Sequence, residues 1–144
     1  MFKLIIGSRN YSSWSLRPWL AAKQAGLSFE EISISQHQPT TKAEILKYSP
    51  SGRVPCLIDG DTVVWESLSI CEYLAEMAPT LWPSEKKTRA EARSIACEIH
   101  SGFTALRQGM SLNVRASLPF TEPSAEVKAD VARIVSIWED CRRH

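Results

Sequence analysis

The sequence has no apolar run near the roughly 20 residues that a membrane-spanning helix needs. It also has no excess of one charge, since 17 Lys and Arg against 16 Asp and Glu give a formal net charge of +1. A dedicated nucleic-acid surface needs a basic excess, so this balance argues against that class. The apolar stretch that follows Met1 is too short for a secretory signal. We therefore expect a cytoplasmic protein with neither a membrane nor a nucleic acid as partner.

Metal-binding and dithiol patterns are missing as well. The four cysteines, Cys56, Cys71, Cys97 and Cys141, form no C-x-x-C pair, which argues against a zinc ribbon or a dithiol redox site. Without an export signal, free thiols are expected rather than disulfides. The three histidines are scattered and match no metal-ligand spacing, so we expect no metal.

Residues 1–77 alternate strand and helix patterns. The predicted strands are 3–8, 29–34, 54–58 and 62–65, and the predicted helices are 15–25, 41–48 and 67–77. Residues 29–34 alternate apolar and polar side chains with a period of two, which is typical of a half-buried strand. Asp59-Gly60-Asp61 between two β-rich runs predicts a hairpin. The order β-α-β-α-β-β-α predicts an α/β layered domain.

The rest of the chain is predicted to be helical. Residues 78–87 carry two prolines and no periodicity, so they read as a linker. Residues 88–144 then form an all-α domain, with one long helix over about 88–116 and a second over 123–143. The second helix is predicted to present one apolar face, formed by Val127, Val131, Ile134, Val135 and Trp138.

Three short segments lie where predicted strands and helices meet. Residues 12–17, Ser-Ser-Trp-Ser-Leu-Arg, precede the first long helix and fit either helix capping or an anion-binding helix start. Val54-Pro55 opens the third strand, where a proline fits a bend. Glu66-Ser67 stands at a strand-to-helix junction and fits a capping pair, with Ser67 as the predicted N-cap. Each segment alone has an ordinary structural explanation.

Taken together, these segments resemble the glutathione S-transferase family. The resemblance rests on residues 12–17, on residues 49–57 (Ser-Pro-Ser-Gly-Arg-Val-Pro-Cys-Leu) and on residues 65–70 with Tyr73-Leu74. The first segment is similar to the Ser-Ser-Cys-Ser-x-Arg stretch of the serine-type zeta class, with Trp14 at the cysteine position. The resemblance implies a thioredoxin-like first domain, glutathione as cosubstrate and a homodimer.

The resemblance also implies how glutathione is held. It implies a cis peptide bond between Val54 and Pro55, with the Val54 backbone pairing with the cysteinyl part of glutathione. It implies that Glu66 and Ser67 hold the γ-glutamyl end, where a carboxylate suits the ammonium group and a hydroxyl suits the carboxylate. For the glycyl end it leaves His37, in the second strand-to-helix loop, and Arg53 as candidates. A solvated loop histidine is the alternative for His37.

Ser12 matches the family's catalytic serine. The resemblance implies that its hydroxyl donates to the glutathione sulfur, and such a bond to a charged group is worth about 1.5–3 kcal/mol. That free energy lowers the thiol pKa by about one to two units. Ser13 and Ser15 are the fallback candidates. Arg17 either adds positive potential to the site or pairs with an acid.

The second substrate, a small electrophile, is expected between the two domains. Arg107, Met110 and Asn113 are the expected contacts, whereas Phe103 and Leu106 are expected in the core. The family's helical domain has further helices after the point where this chain stops, so we expect a shortened domain, either natural or a fragment. The expected function is glutathione transfer or glutathione-dependent isomerisation. The alternative is a glutathione-fold binding or regulatory module without turnover.

Overall fold

A computed structural model describes residues 1–143 as a mixed sheet with helices on both faces, followed by a helical region. The strands are β1 (Phe2–Ile6), β2 (Phe29–Ser33), β3 (Cys56–Asp59) and β4 (Thr62–Trp65). The helices are α1 (Ser13–Gln24), α2 (Thr41–Leu46), α3 (Ser67–Met77), α4 (Lys86–Ser101), α5 (Thr104–Gly109) and α6 (Ala125–Arg142). The predicted order β-α-β-α-β-β-α over the first part is confirmed.

The four strands lie in the order β2-β1-β3-β4. β1 runs parallel to β2 and antiparallel to β3, and β4 returns antiparallel along β3 as the predicted hairpin. Leu57 pairs with Leu4 on one side and with Val64 on the other. This mixed sheet, with its central strands β1 and β3, confirms the thioredoxin-like fold of the first part.

Alternation along the strands sends side chains to two separate cores. On one face α1 and α3 cover a cluster formed by Phe2, Leu4, Ile6, Ala22, Leu57, Ile70 and Leu74. On the other face α2 contributes Ile45, which packs with Ile5, Ile34 and Cys56. Successive side chains of a strand point to opposite faces, so Leu4 and Ile5 enter different cores.

The first helix starts two residues earlier than predicted. Ser12 is its N-cap, and the Ser12 Oγ accepts a bond from the Ser15 amide at 3.4 Å. Pro18 therefore lies inside the helix and not in its first turn, where the sequence placed it. A proline there has no amide hydrogen for the carbonyl of Trp14.

The predicted long helix over 88–116 is wrong. The structure has two helices, α4 and α5, interrupted at Gly102 and Phe103. Phe103 has a left-handed φ of 61°, and a Cβ on Gly102 would lie 2.8 Å from the Glu98 carbonyl oxygen. Apolar residues keep a helical spacing across this break, so periodicity could not reveal it. After α5 the chain has no helix until Ala125.

The predicted apolar face of the last helix is only partly correct. α6 is capped by Ser124 and buries Val127 and Ile137. Three members of the predicted face, Val131, Val135 and Trp138, are exposed, the last of them by 60%.

The predicted linker contains a short regular element, because Pro79–Leu81 forms a 3-10 turn. None of the helices within residues 1–143 is long and apolar enough to span a membrane.

Candidate functional site

Most of the predicted glutathione contacts line one cavity of about 200 Å³. Five of them come from the loop before β3 and from the start of α3: Arg53, Val54, Pro55, Glu66 and Ser67. Trp14 and Ser51 complete the lining. We call this the Ser67 cavity.

Two unusual backbone segments shape the Ser67 cavity. The Val54–Pro55 bond is cis, as the resemblance implies, and it directly precedes β3. Glu66 joins β4 to α3 with a φ of 70°, a conformation that is uncommon outside glycine. Glu66 occupies the N-cap position and Ser67 is the first helical residue, so the prediction of Ser67 as N-cap is off by one. The turn at Glu66 brings the start of α3 to the cavity.

The start of α3 offers donors that nothing in the described chain satisfies. Ser67 is 1% exposed, yet its Oγ has no hydrogen-bond partner within residues 1–143. The first amides of a helix also lack partners inside that helix, and the Glu66 side chain does not cap them. A buried hydroxyl beside free helix amides is a site for a carboxylate.

Glu66 and Trp14 connect the Ser67 cavity to the helical region through His100. The His100 Nε2 on α4 lies 4.0 Å from the Glu66 Oε2. The His100 ring meets Trp14 edge-on at 5.3 Å between centroids. Its Nδ1 is buried without a partner among residues 1–143. One side of the cavity is thus fixed by a residue of the second part of the chain.

Trp14 is held between two arginines. The Arg17 guanidinium carbon lies 4.3 Å from the ring centroid and that of Arg107 lies 4.5 Å from it, distances typical of cation–π contacts. Burial, and secondarily the charge of Arg107, lower the pKa of Arg17 below its usual value. The expected alternative of an acid partner for Arg17 finds no support, because none of the ion pairs within residues 1–143 includes it.

Two of the three serines in residues 12–17, Ser12 and Ser15, are hydrogen-bonded to each other. The Ser12 hydroxyl donates to the Ser15 Oγ at 2.9 Å, and this oxygen also accepts from the Gly7 amide at 3.1 Å. Ser15 is buried, whereas Ser12 and Ser13 are half-buried. Ser12 and Ser15 line a neighbouring cavity of about 120 Å³ and not the Ser67 cavity.

Comparison with known proteins agrees with this geometry. Residues 11–77 match the family described as Glutathione S-transferase, N-terminal domain. Residues 11–77 therefore form an N-terminal domain of the glutathione S-transferase family. The chain is 31% identical over 100 residues to a probable maleylacetoacetate isomerase of Caenorhabditis elegans, covering 68% of this chain and 46% of that protein. It is 37% identical over 82 residues to a zeta-class glutathione S-transferase of Euphorbia esula, covering 54% of this chain and 35% of that protein.

A solved structure extends the match to the fold. The chain is 28% identical to a glutathione transferase homologue from Burkholderia, solved with bound glutathione, at a TM-score of 0.62. The match covers 74% of this chain and 57% of the Burkholderia protein. The chain therefore spans about half the length of the family members it matches.

Four predicted contacts lie outside the Ser67 cavity. His37 is exposed in the β2–α2 loop, Met110 is 57% exposed, and the Asn113 Oδ1 accepts from the Asn10 Nδ2 at 2.9 Å. Arg107 reaches the cavity only through its contact with Trp14, and it donates from Nε to the Gly102 carbonyl at 3.0 Å. Of these four, only His37 was predicted to contact glutathione, and it does not line the Ser67 cavity. Arg107, Met110 and Asn113 were predicted for the separate electrophile pocket between the domains.

Three residues at the site were missed by sequence reasoning. Ser51 lies within the segment 49–57 and Trp14 within the segment 12–17, so the family motifs could have drawn attention to both. His100 carries no such signal, because it stands on α4 without a local pattern.

Cys71 lies one helical turn after Ser67, beside Arg17. Burial raises the pKa of its thiol to about 11, and the nearby Arg17 only partly opposes this. We predict that iodoacetamide at about pH 8 labels Cys71 slowly, because the thiolate is the reactive form. Cys97 and Cys141, which are exposed, should be labelled first when peptides are mapped by mass spectrometry. Equal labelling in denaturant is the control, and early labelling of Cys71 in the folded chain would contradict the prediction.

Proposed function

We propose that the chain is a glutathione transferase that binds glutathione in the Ser67 cavity. It activates the thiol as a thiolate, for attack on a small electrophile or for glutathione-dependent isomerisation. One observation carries the proposal: the family-matched residues of two separate segments line one cavity, where a buried Ser67 hydroxyl has no partner. The bound glutathione of the Burkholderia homologue and the isomerase name of the worm relative support it.

The proposed ligand contacts follow the chemistry of glutathione. The Glu66 carboxylate pairs with the γ-glutamyl ammonium group, and the Ser67 hydroxyl with the free α3 amides receives its carboxylate. The Val54 backbone pairs with the cysteinyl part as an added strand would. Arg53, which lines the Ser67 cavity, receives the glycyl carboxylate. His37 stays a second candidate for that end from the β2–α2 loop.

Ser12 is the proposed donor to the sulfur, with Ser13 and Arg17 in support. The Ser12 hydroxyl donates to Ser15 in the structure, so it has to turn toward the sulfur when glutathione binds. A fall of the thiol pKa from about 8.5 to about 6.5 raises the thiolate fraction at neutral pH from roughly 3% to roughly 75%. Because nucleophilicity falls with basicity, the net gain is only about threefold. Placing the electrophile beside the sulfur has to supply the rest.

The electrophile is proposed to enter beside Trp14. Arg107 stacks on that ring and is the best placed of the predicted contacts, whereas Met110 and Asn113 stand on the segment that follows α5.

We also propose that the chain has two domains, residues 1–77 and 88–144, which are joined by a linker at residues 78–87. The proposed location of the protein is the cytoplasm.

Alanine at Ser12 is expected to raise the pKa of bound glutathione by about one to two units, because the thiolate loses its hydrogen bond. The measurement is thiolate absorbance of the complex against pH, with turnover of a generic aryl halide beside it. Ser69→Ala, at an exposed serine of α3 that lines neither cavity, is the matched control. A rise with Ser13→Ala alone would show that Ser13 is the donor. Glutathione binding without turnover in the unsubstituted chain would favour the non-catalytic alternative.

The proposed homodimer is expected to use the sheet edge at β4. This edge strand exposes the side chains of Val63 and Trp65, the latter by 44%. Trp65→Glu should convert a dimer to a monomer in sedimentation experiments, because it places charge in an apolar contact. Trp138→Glu, on the exposed face of α6, is the control and should leave the dimer intact. A dimer that survives Trp65→Glu would exclude this edge.

A further inference from the structure

The sequence contains two asparagines, and the structure brings them into contact although they lie 103 positions apart. Asn10 lies in the turn between β1 and α1, two residues before Ser12. The Asn10 Nδ2 donates to the Asn113 Oδ1 at 2.9 Å. The turn that carries the proposed sulfur donor is therefore joined to the chain that follows α5.

Two more hydrogen bonds strengthen this contact. The Asn10 Oδ1 accepts from the Arg115 amide at 2.9 Å, and the Asn10 carbonyl accepts from the Val114 amide at 3.2 Å. Asn10 thus bonds three consecutive residues, 113–115, in the stretch between α5 and α6. Backbone amides outside helices and strands need partners elsewhere, so Asn10 determines the path of the chain after α5. We call residues 110–115 the α5 extension.

A second contact joins the same two parts of the chain on the other side of Ser12. The Arg107 guanidinium carbon on α5 lies 4.5 Å from the Trp14 ring centroid. Ser12 stands midway between Asn10 and Trp14 in the sequence. Ser12 is therefore flanked by two residues that contact α5 or its extension.

The α5 extension leaves apolar surface uncovered beside this turn. Met110 is 57% exposed and Val114 is 64% exposed, and Leu112 between them is half-buried. Two residues of chain span at most about 7 Å, so the point where Asn10 holds the extension lies close to Ser12. An apolar group on a sulfur atom bound by Ser12 therefore lies within reach of the extension.

We propose that Asn10 is a positioning residue, which fastens the α5 extension beside Ser12 as the apolar wall of the electrophile site. This role rests on the proposed function, in which Ser12 binds the glutathione sulfur. It reassigns Asn113, whose amide oxygen accepts from Asn10 and is not free for a substrate. The exposed side chains of the extension favour an electrophile with an apolar body.

Trypsin tests the attachment without any ligand. Arg115 is exposed, and cleavage after it follows the fraction of molecules in which the extension has opened. Asn10→Ala removes both side-chain bonds, so this cleavage should become about three- to tenfold faster, the effect of one net hydrogen bond. Gln108→Ala, which removes an exposed amide from α5, is the control and should leave the rate unchanged. An unchanged rate in Asn10→Ala overturns the attachment.

Aspartate substitutions test whether the two amide groups face each other. Asn10→Asp keeps the acceptor for the Arg115 amide, and the Asn113 amide group can turn and donate to the new carboxylate. Asn113→Asp keeps an acceptor for the Asn10 Nδ2. Each single variant should therefore be cleaved at the rate of the unsubstituted chain. The double variant, in which two carboxylates meet, should be cleaved at least as fast as Asn10→Ala, and slow cleavage of it overturns the contact.

Two ligands test the role of Asn10 at the site. Calorimetry compares glutathione with S-hexylglutathione, which carries an apolar chain on the sulfur. In Asn10→Ala the affinity for glutathione should stay unchanged, whereas that for S-hexylglutathione should fall about fivefold through lost apolar contact. Asn10→Asp should restore it. An equal fall for both ligands, or no fall for either, overturns the wall.

The two kinds of failure are distinguishable. If the unsubstituted chain binds neither ligand, the proposed function is wrong, and the role at the electrophile site falls with it. The cleavage rates are measured without glutathione, so they decide the attachment of the α5 extension in either case.

Discussion

Alanine at Ser67 is expected to weaken glutathione binding by about 1–3 kcal/mol, a loss between roughly fivefold and a hundredfold. The side chain is 1% exposed and its Oγ has no partner within residues 1–143. The hydroxyl is therefore free to donate to a carboxylate, and removing it leaves a buried charge short of one donor. The measurement is calorimetric titration of the full chain with glutathione.

Ser69→Ala is the matched control for this experiment. Ser69 stands two positions later on α3 and is exposed, so the same atoms are removed from the same helix without touching the Ser67 cavity. Its affinity for glutathione should stay that of the unsubstituted chain. Equal affinities of the Ser67 and Ser69 variants would remove Ser67 from the glutathione site. Equal melting temperatures would show that neither change acts through unfolding.

The sheet and the loops that line the Ser67 cavity were predictable because their sequence signals are local. A period of two identifies β2, and the Asp59-Gly60-Asp61 turn identifies the β3–β4 hairpin. The cis bond at Val54–Pro55 was implied by the resemblance and is present. The candidate residues were predicted to lie at the ends of strands and helices, and these ends lie together at the same edge of the sheet. The five predicted residues of the Ser67 cavity come from such ends.

The wrong predictions occur where a single backbone conformation, or a single contact with a distant part of the chain, determines the structure. The break between α4 and α5 depends on the left-handed conformation of Phe103, and no spacing of apolar residues encodes it. On α6, Val131 and Val135 have the composition of a buried face, yet the structure buries Val127 and Ile137. That choice depends on tertiary packing, in which α6 contacts α5 with Val127 near Gly109.

His100 shows the same limit at the site. Its contacts with Glu66 and Trp14 join α4 to two segments far away in the sequence. A single histidine on a helix belongs to no sequence pattern that would predict such contacts. The hydrogen bond between Ser12 and Ser15 could not be predicted either. Residues 12–15 carry three hydroxyl groups, and the sequence does not show which of them bond to each other. Site membership was predictable from motifs, whereas the hydrogen-bond partners were not.

The largest loss of stability is expected from Leu57→Ala, at about 2–5 kcal/mol of the free energy of unfolding. Leu57 is fully buried in the middle of β3, between Leu4 of β1 and Val64 of β4, and belongs to the cluster under α1 and α3. Truncation removes apolar contacts and leaves a cavity that the rigid sheet cannot close. The free energy of unfolding of a domain of this size is only about 5–15 kcal/mol, so this one substitution removes a large share of the stability.

Urea denaturation followed by circular dichroism measures that loss, and Leu20→Ala is its control. Leu20 lies on α1 and is 51% exposed, so the same truncation there should change the free energy of unfolding by at most about 0.5 kcal/mol. Leu57 lies two residues after Pro55 in the strand that holds the cavity loop in place. We therefore expect Leu57→Ala to bind glutathione normally while it remains folded, and to lose binding and structure together as urea rises. Loss of binding well before unfolding would show that the loop is positioned independently of the β3 core.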